Sequence, residues 1–188
     1  MSTPCFFGYG SLVNLDTHDY PDASPATARG WRRAWVHTDA RQFAFLTASR
    51  APGHSIDGMI ARVPAGDWAE LDLREMAYDR ILDTANITHT RTDGPEIAIY
   101  AIESQSKGPA TQEHPILLSY VDVVVQGYLR AFGETGAIAF MDSTDGWTAP
   151  ILDDRAAPIY PRSQKLTLDE MLLVDDYLAG VGAMRQTL

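Results

Sequence analysis

The residues best suited to chemistry come early in the chain, in a short loop rich in glycine. The loop Gly8–Val13, with the sequence GYGSLV, directly follows an apolar segment at residues 4–9 that is predicted to be the first strand. Two glycines allow a sharp backbone turn, so that successive N–H groups can point toward one place and bind an anion. The loop matches neither GxxxxGK[ST] nor GxGxxG, the usual nucleotide fingerprints. From these residues alone, a simple tight turn explains the loop equally well.

A second candidate group is the carboxyl group of Glu75, in the segment LDLREMAY at residues 71–78. This segment is predicted to be helical, and its apolar residues Leu71, Leu73 and Met76 would partly desolvate a neighbouring carboxyl group. Desolvation raises a carboxyl pKa toward neutrality, which suits a general base. Taken alone, however, a helical glutamate is more often solvated or paired with a neighbouring arginine.

The two segments together resemble the γ-glutamylcyclotransferase-like superfamily, which includes AIG2-like and ChaC-like proteins. Members open with a strand and a YGSN or YGSL loop, and later carry an acidic residue in a stretch of the form L-D-x-R-E. Here FFGYGSL is followed by LDLRE, with Glu75 at the acidic position. A later helix with a tyrosine and then a glycine is matched by Tyr120 and Gly127. The resemblance covers residues 4–135. Tyr78 lies three positions after Glu75, unlike the aromatic of glutathione-specific relatives, so glutathione is not indicated.

The resemblance implies that a γ-glutamyl amide is cleaved by its own α-amine, which gives 5-oxoproline and a free amine or amino acid. It assigns acid/base catalysis to Glu75 and binding of the γ-glutamyl group to the loop Gly8–Val13. The substrate-binding residues that it implies are Tyr9, Gly10, Ser11, Leu12 and Tyr120. It requires no metal and no cofactor.

Two other interpretations remain open on the same scaffold. The first is a non-catalytic binding module that uses the loop to hold an amino-acid-like ligand, although such a module has no need of Glu75. The second is a transferase or hydrolase in which an outside amine or water replaces the internal amine. Only cyclisation yields 5-oxoproline, so product analysis separates these reactions.

Composition narrows the classes of partner. The chain has 188 residues and a net charge of −10, which argues against nucleic acid and anionic lipid as partners.

No apolar run approaches the roughly 18 residues that cross a bilayer, and the N-terminus lacks the pattern of a secretory signal, so we expect a cytoplasmic protein. Cys5 is the only cysteine, and the five histidines lack metal-ligand spacing. We expect a small-molecule partner and a monomer or homodimer.

Hydrophobic spacing and turn residues predict the elements that position these groups. Beyond the first strand, the pattern predicts strands at residues 28–37, 42–48, 56–63, 78–90 and 96–103, with a turn at 49–55 and the last two strands paired. Asp67 and Glu70 are spaced as a capping box, which predicts the start of the helix that carries Glu75.

Helices are predicted toward the C-terminus. One runs from Pro115 to about Phe132 and stops at Gly133, and a short one follows at residues 134–143. An irregular segment is predicted at residues 144–165. The last helix begins at a Thr167–Glu170 capping box and ends at Gly180. Strands before helices predict an α+β fold, which the resemblance specifies as a small mixed β-barrel with flanking helices. We expect a domain at residues 1–143, with residues 144–188 as a C-terminal helical extension packed on it.

Overall fold

The computed structural model describes residues 3–38, 42–102 and 107–187. The strands are β1 (Cys5–Gly8), β2 (Ser24–Thr38), β3 (Phe45–Arg62), β4 (Asp79–Leu82), β5 (Ile87–His89), β6 (Ile97–Ala101), β7 (Lys107–Pro109), β8 (Ile116–Leu117), β9 (Thr144–Asp145), β10 (Ile151–Asp153) and β11 (Arg185–Thr187). The α-helices are α1 (Ala69–Arg74), α2 (Leu118–Asp142) and α3 (Leu168–Gly180). None of the helices in the described part of the chain is both long and apolar enough to cross a membrane.

The main sheet is mixed and strongly curled. Its strand order is β4-β6-β1-β3-β2-β5, with β1 parallel to β6 and antiparallel to β3. A flat sheet of six strands at about 4.8 Å spacing would place its edges about 24 Å apart. The edge strands β4 and β5 are nevertheless joined by residues 83–86 alone, and the step from residue 82 to 87 spans at most about 18 Å. The sheet therefore curls toward a barrel, which confirms the predicted α+β class.

The long hairpin of β2 and β3 corrects the prediction of a turn at residues 49–55. These residues lie within one strand, because the ladder with β2 continues on both sides of them. The pairing jumps from Arg29↔Ser55 to Trp31↔Arg50, so residues 51–54 bulge out of the ladder. Gly53 has a φ of +86°, which a glycine adopts without strain. The residues typical of a turn therefore form a bulge and leave the strand unbroken.

The predicted pairing of residues 78–90 with 96–103 is only half right. Strand β4 pairs with β6, but β5 crosses over to pair with β2. The crossover is fixed by Asp83, a buried carboxylate that accepts hydrogen bonds from Trp31 Nε1 at 2.6 Å and Arg50 at 2.8 Å. The chain therefore turns at Asp83 and supplies strands to both edges of the sheet.

The long helix begins later than predicted and contains the predicted break. Residues Ile116–Leu117 form strand β8, which pairs with β10, so the helix starts at Leu118 and not at Pro115. Gly133 interrupts the helical backbone with a φ of 70°, as its type predicts. The buried face of α2, including Val121, Val124 and Tyr128, packs in the same hydrophobic core as the sheet.

The C-terminal segment is tied to α2 by polar contacts. Arg155 donates two hydrogen bonds of 2.7 Å to Asp122 and a third to Asp175 of α3. Gln126 donates to the Lys165 carbonyl at 3.0 Å. The Thr167–Glu170 capping box opens α3 as predicted. Strands β9 and β10 lie within residues 144–165, so this segment is less irregular than predicted, and the domain boundary at residue 143 stays a prediction.

A close contact between α2 and the loop after β1 requires glycine at position 127. A Cβ atom on Gly127 would lie 2.7 Å from the backbone nitrogen of Asn14 and 2.8 Å from its Cα. Asn14 is fully buried and donates from its side chain to the Val123 carbonyl at 2.9 Å. The backbone at Asn14 is therefore held in place and cannot move away from an added methyl group.

We predict that Gly127→Ala lowers the free energy of unfolding by about 1–3 kcal/mol, as overpacking in a core does. Gly180→Ala is the matched control, because a Cβ atom there meets no atom within 4 Å. That variant should be neutral or slightly stabilising, since alanine favours a helix over glycine. Urea denaturation of the three proteins measures both effects. Equal stability of Gly127→Ala and wild type would contradict the close contact.

Candidate active site

The glycine-rich loop joins β1 to a 3₁₀ turn at Ser11–Val13. Gly10 lies outside the helical and extended regions, with a φ of −115° and a ψ of −130°, which agrees with the predicted sharp turn. Gly8 and Gly10 also provide space. A Cβ atom on Gly8 would lie 2.5 Å from Leu12 Cβ, and one on Gly10 would lie 2.6 Å from the Tyr120 hydroxyl oxygen. The loop is therefore shaped by close packing against its own next turn and against α2.

Glu75 lies immediately after the last residue of α1. Its N–H donates to the Leu71 carbonyl at 2.9 Å, and Leu71 is fully buried, which anchors the helix end. The predicted capping box is absent, because Trp68 is the N-cap and Asp67 instead accepts from the Ala69 N–H at 2.9 Å. The Glu75 side chain is only 16% exposed.

Arg74 connects Glu75 to the loop. Its Nε lies 3.2 Å from Glu75 Oε1, and its other nitrogens donate to the Thr17 carbonyl at 3.0 Å and approach Ser11 Oγ at 3.4 Å. Burial raises the pKa of the Glu75 carboxyl, and the charges of Arg74 and Arg162 oppose that rise. The ion pair with a neighbouring arginine that the sequence suggested is therefore present, and the carboxyl group is desolvated as well.

Tyr120 lies above the loop, on the first turn of α2. Its ring packs edge-on against Trp35 at 5.8 Å and against Tyr160 of the C-terminal segment at 4.9 Å. Burial raises the pKa of its hydroxyl well above the usual value, with Tyr160 and Glu75 adding to the shift. These ring contacts on two sides hold the hydroxyl group over Gly10.

The hydroxyl group of Tyr9 is used within the frame of the sheet. It donates to the Tyr100 carbonyl at 2.6 Å and accepts from the Ala48 N–H at 3.1 Å, and the residue is 6% exposed. Leu12 is similarly buried, and its carbonyl lies 3.0 Å from a ring nitrogen of His18. These two residues shape the floor of the site, and direct contact of either with a substrate stays a prediction.

Two cavities meet at Glu75. The outer one has a volume of about 320 Å³, and the inner one has about 30 Å³. Four residues line both: Ser11, Glu75, Tyr78 and Tyr120. Tyr9, Gly10 and Leu12 line only the inner cavity, so the structure brings all the predicted site residues together. The inner volume exceeds the 10–15 Å³ or so that one water needs, which suits one small polar group.

The outer cavity also contains residues that sequence reasoning missed. Residues 159–162 of the C-terminal segment form one wall, and Phe43 and Phe45 lie on another. Tyr78 lies between the cavities, with its hydroxyl donating to the Leu46 carbonyl at 2.9 Å. No local pattern marks residues 159–162, because they reach the site only through the path of the tail. Within the described ranges, no three His, Cys, Asp or Glu side chains are grouped so as to hold a metal ion.

The arrangement is a desolvated carboxyl group at the junction of the small inner cavity and the larger outer cavity, whose lining is more apolar than polar. Such a carboxyl group can take a proton from a bound group and return it to another, provided that both lie within hydrogen-bond reach. The start of the 3₁₀ turn at Ser11 faces the inner cavity, where the Ser11 backbone interacts with the Tyr120 hydroxyl group, and the first N–H groups of a helical turn have no partner within the turn itself.

The contact between Gly10 and Tyr120 predicts a dependence between two substitutions. Gly10→Ala should lower the free energy of unfolding by about 1–3 kcal/mol, because the new methyl group overlaps the Tyr120 hydroxyl. In a Tyr120→Phe background that oxygen is gone, and the next atom is Leu46 Cδ2 at 3.6 Å. Most of the cost should then disappear. A double-mutant cycle by urea denaturation measures this coupling, and additive effects would contradict it.

The chain was compared with known families and structures. A family model described as gamma-glutamyl cyclotransferase, AIG2-like, matches residues 6–122. No curated protein sequence gives a significant match. A solved structure described as a gamma-glutamyl cyclotransferase superposes with a TM-score of 0.55 at 13% identity, over 93% of this chain and 99% of that one.

Two further structures have similar scores. An uncharacterised protein from Homo sapiens gives a TM-score of 0.56 at 13% identity, over 95% of this chain and 99% of that one. YkqA from Bacillus subtilis gives 0.57 at 14% identity, over 76% of this chain and 54% of that one. At such identities these structures show a shared fold, whereas the family model matches the sequence itself. Since the model covers more than half of the chain, including Gly8–Val13 and Glu75, the chain belongs to the gamma-glutamyl cyclotransferase, AIG2-like family.

Proposed function

We propose that this protein cleaves γ-glutamyl amides by intramolecular cyclisation, releasing 5-oxoproline and an amine or amino acid, with Glu75 as the acid/base. The observation that carries the proposal is the position of Glu75, which lines both the inner cavity at the glycine-rich loop and the outer cavity. Membership of a gamma-glutamyl cyclotransferase family supports the same reaction class.

The reaction needs a base first. The substrate's α-ammonium group must lose a proton, because only the neutral amine is nucleophilic, and Glu75 accepts it. The α-nitrogen loses two protons in all, and Glu75 passes the first one to solvent. The amine nitrogen then attacks the γ-carbonyl carbon and forms a five-membered ring whose tetrahedral carbon bears a negative oxygen, and the ring nitrogen gives its second proton to Glu75. Burial raises the pKa of the Glu75 carboxyl, which increases the strength of Glu75 as a base. The charges of Arg74 and Arg162 limit this rise in pKa. Acid/base catalysis of this kind contributes typically 10²–10⁴-fold.

The second half of the reaction returns the proton. The tetrahedral centre collapses, the bond to the leaving nitrogen breaks, and Glu75 donates its proton to that nitrogen. The carboxylate is regenerated, and no water is consumed. One carboxyl group therefore serves both steps, provided that it lies between the two nitrogens, and a place where two cavities meet suits that position.

The loop supplies the stabilisation of charge in this scheme. Backbone N–H groups of Gly10, Ser11 and Leu12 hold the substrate α-carboxylate or the oxygen that becomes negative. The inner cavity that these residues line has a volume of about 30 Å³, which admits one such group. The rigid rings of Tyr78 and Tyr120 at its entrance favour a folded γ-glutamyl chain, and holding reacting groups together accelerates an intramolecular step.

The first prediction tests the role of Glu75. Glu75→Gln should fold normally and lose at least about 99% of 5-oxoproline release, because the amide cannot accept the proton. Glu70→Gln is the matched control, since Glu70 is an exposed residue of the same helix and lies outside both cavities. Release is measured with a panel of γ-glutamyl dipeptides, γ-glutamylamines and glutathione.

Each outcome of this experiment has a distinct meaning. Retention of more than a tenth of wild-type turnover by Glu75→Gln would remove Glu75 from the catalytic role. Release of free glutamate without 5-oxoproline would identify a hydrolase. Absence of any product from the wild type, together with ligand binding, would favour the non-catalytic binding module.

The second prediction concerns pH. Arg74→Gln removes a cation that lowers the pKa of the Glu75 carboxyl, so that pKa should rise further. Because the base acts only when deprotonated, the acid limb of the kcat/KM profile should move to higher pH. Arg80→Gln, which removes a surface pair with Asp72, should leave the limb unchanged. A limb that moves to lower pH in Arg74→Gln would contradict the assignment of that limb to Glu75.

A further inference from the structure

Arg162 is a cation on the wall of the outer cavity, and its guanidinium group has no hydrogen-bond or ion-pair partner among the residues that the structure describes. Its side chain is exposed and lines the cavity beside Glu75. It makes no hydrogen bond or ion pair through its guanidinium group with any other residue in the described ranges. Its charge nevertheless reaches Glu75, where it opposes the rise in pKa that burial causes.

This isolation is unusual in so acidic a chain. The protein has 25 acidic residues against 15 basic ones, so partners for arginine are plentiful. Arginines that lie within 4.0 Å of a carboxylate oxygen are Arg32, Arg50, Arg62, Arg74, Arg80, Arg91, Arg130, Arg155 and Arg185. The free guanidinium group of Arg162 therefore remains available to an anion that enters the cavity.

The backbone that presents Arg162 is fixed by a buried carboxylate. Asp154 is fully buried and accepts hydrogen bonds from the Ser119 N–H at 2.8 Å, from Ser119 Oγ, and from the Ile159 N–H at 2.8 Å. The Ser163 N–H donates to the Tyr160 carbonyl at 3.1 Å, which closes a turn with Arg162 inside it. This turn is anchored on α2, one residue before Tyr120, because the Tyr160 N–H donates to Ser119 Oγ at 3.3 Å, so the backbone at Arg162 is held near the site.

The rest of the outer cavity is largely apolar. Its apolar lining includes Phe43, Phe45, Leu117, Ile159, Tyr160 and Pro161. A volume of about 320 Å³ lies at the small end of the range for small-molecule sites. A cation beside an apolar wall is complementary to a compact ligand that has one carboxylate and one large apolar group.

We infer that the outer cavity receives the leaving group, and that Arg162 selects γ-glutamyl derivatives of aromatic or large apolar α-amino acids by binding their carboxylate. The inference rests on the proposed function, in which the inner cavity beside Glu75 binds one charged group of the γ-glutamyl part. A guanidinium group suits this role, because its planar N–H groups match the two oxygens of a carboxylate. Arg162 is a specificity-determining residue and takes no part in the proton transfers.

The test compares two substrates that differ by one group. γ-Glutamylphenylalanine has the carboxylate, and γ-glutamylphenethylamine has the same ring and chain without it. The wild type should prefer the first by about fivefold in kcat/KM, the upper end of what one exposed ion pair provides. In Arg162→Gln the preference should fall to within about twofold. Because both substrates share the γ-glutamyl group, any effect of Arg162 on Glu75 cancels in the ratio.

Two controls sharpen the comparison. Arg29→Gln removes the same charge from an exposed strand position that does not line the outer cavity, and should keep the wild-type preference. γ-Glutamylglycine keeps the carboxylate and lacks the ring, so the wild type should use it about tenfold less well than γ-glutamylphenylalanine. Equal use of the two phenyl substrates by the wild type, or an unchanged preference in Arg162→Gln, would overturn the inference.

Calorimetric binding to the Glu75→Gln variant separates this inference from the proposed function. That variant should bind γ-glutamylphenylalanine more tightly than γ-glutamylphenethylamine, and adding Arg162→Gln should abolish the difference. This result would support the role of Arg162 even if the wild type released no 5-oxoproline, an outcome that would reject the proposed reaction. Equal affinities would reject the role of Arg162 even if the reaction were established.

Discussion

The whole site depends on the close approach of α2 to the loop after β1. At Gly127 the helix meets the backbone of Asn14 directly, and at Gly10 the loop meets the hydroxyl group of Tyr120. Buried hydrogen bonds from Asn14 to the Val123 carbonyl and to Gln126 fix the distance. Residues of the loop then line one side of the inner cavity, and Tyr120 of the same helix lines another. A wider spacing between α2 and the loop would open the inner cavity to water and weaken each electrostatic contact in it.

A buried cation supports the same loop from below. Arg33 is 1% exposed and donates to the Asp57 carbonyl and to the Tyr128 hydroxyl, with its remaining nitrogens on hydroxyl groups. The Tyr128 hydroxyl lies 3.1 Å from the carbonyl oxygen of Tyr9. Burial lowers the pKa of the Arg33 guanidinium, but these acceptors stabilise its charge. A charge buried without acceptors would be very costly, so the polar network beneath the loop is as constrained as the hydrophobic core.

Sequence reasoning predicted which residues gather at the candidate site better than it predicted the architecture. Glu75 and the loop Gly8–Val13 were identified from local motifs, and the Thr167 capping box is local as well. The bulge at residues 51–54 was missed because turn-type residues leave a strand intact when the ladder resumes beyond them. The crossover at Asp83 was missed because its partners, Trp31 and Arg50, are distant in sequence. The glycines of the loop were explained by backbone freedom alone, and the close packing that also requires them was missed.

The candidate site is built from two parts of the chain, one inside and one outside the region that the family model matches. The matched region, residues 6–122, contains the loop, Glu75 and Tyr120, which are the groups assigned to the reaction. The wall at residues 159–162 lies beyond it and is attached through Asp154 to Ser119, at the start of α2. Changes in that wall can alter the shape and charge of the outer cavity without moving the carboxyl group. On the proposed function, the C-terminal segment can change which leaving group is accepted while the reaction stays the same.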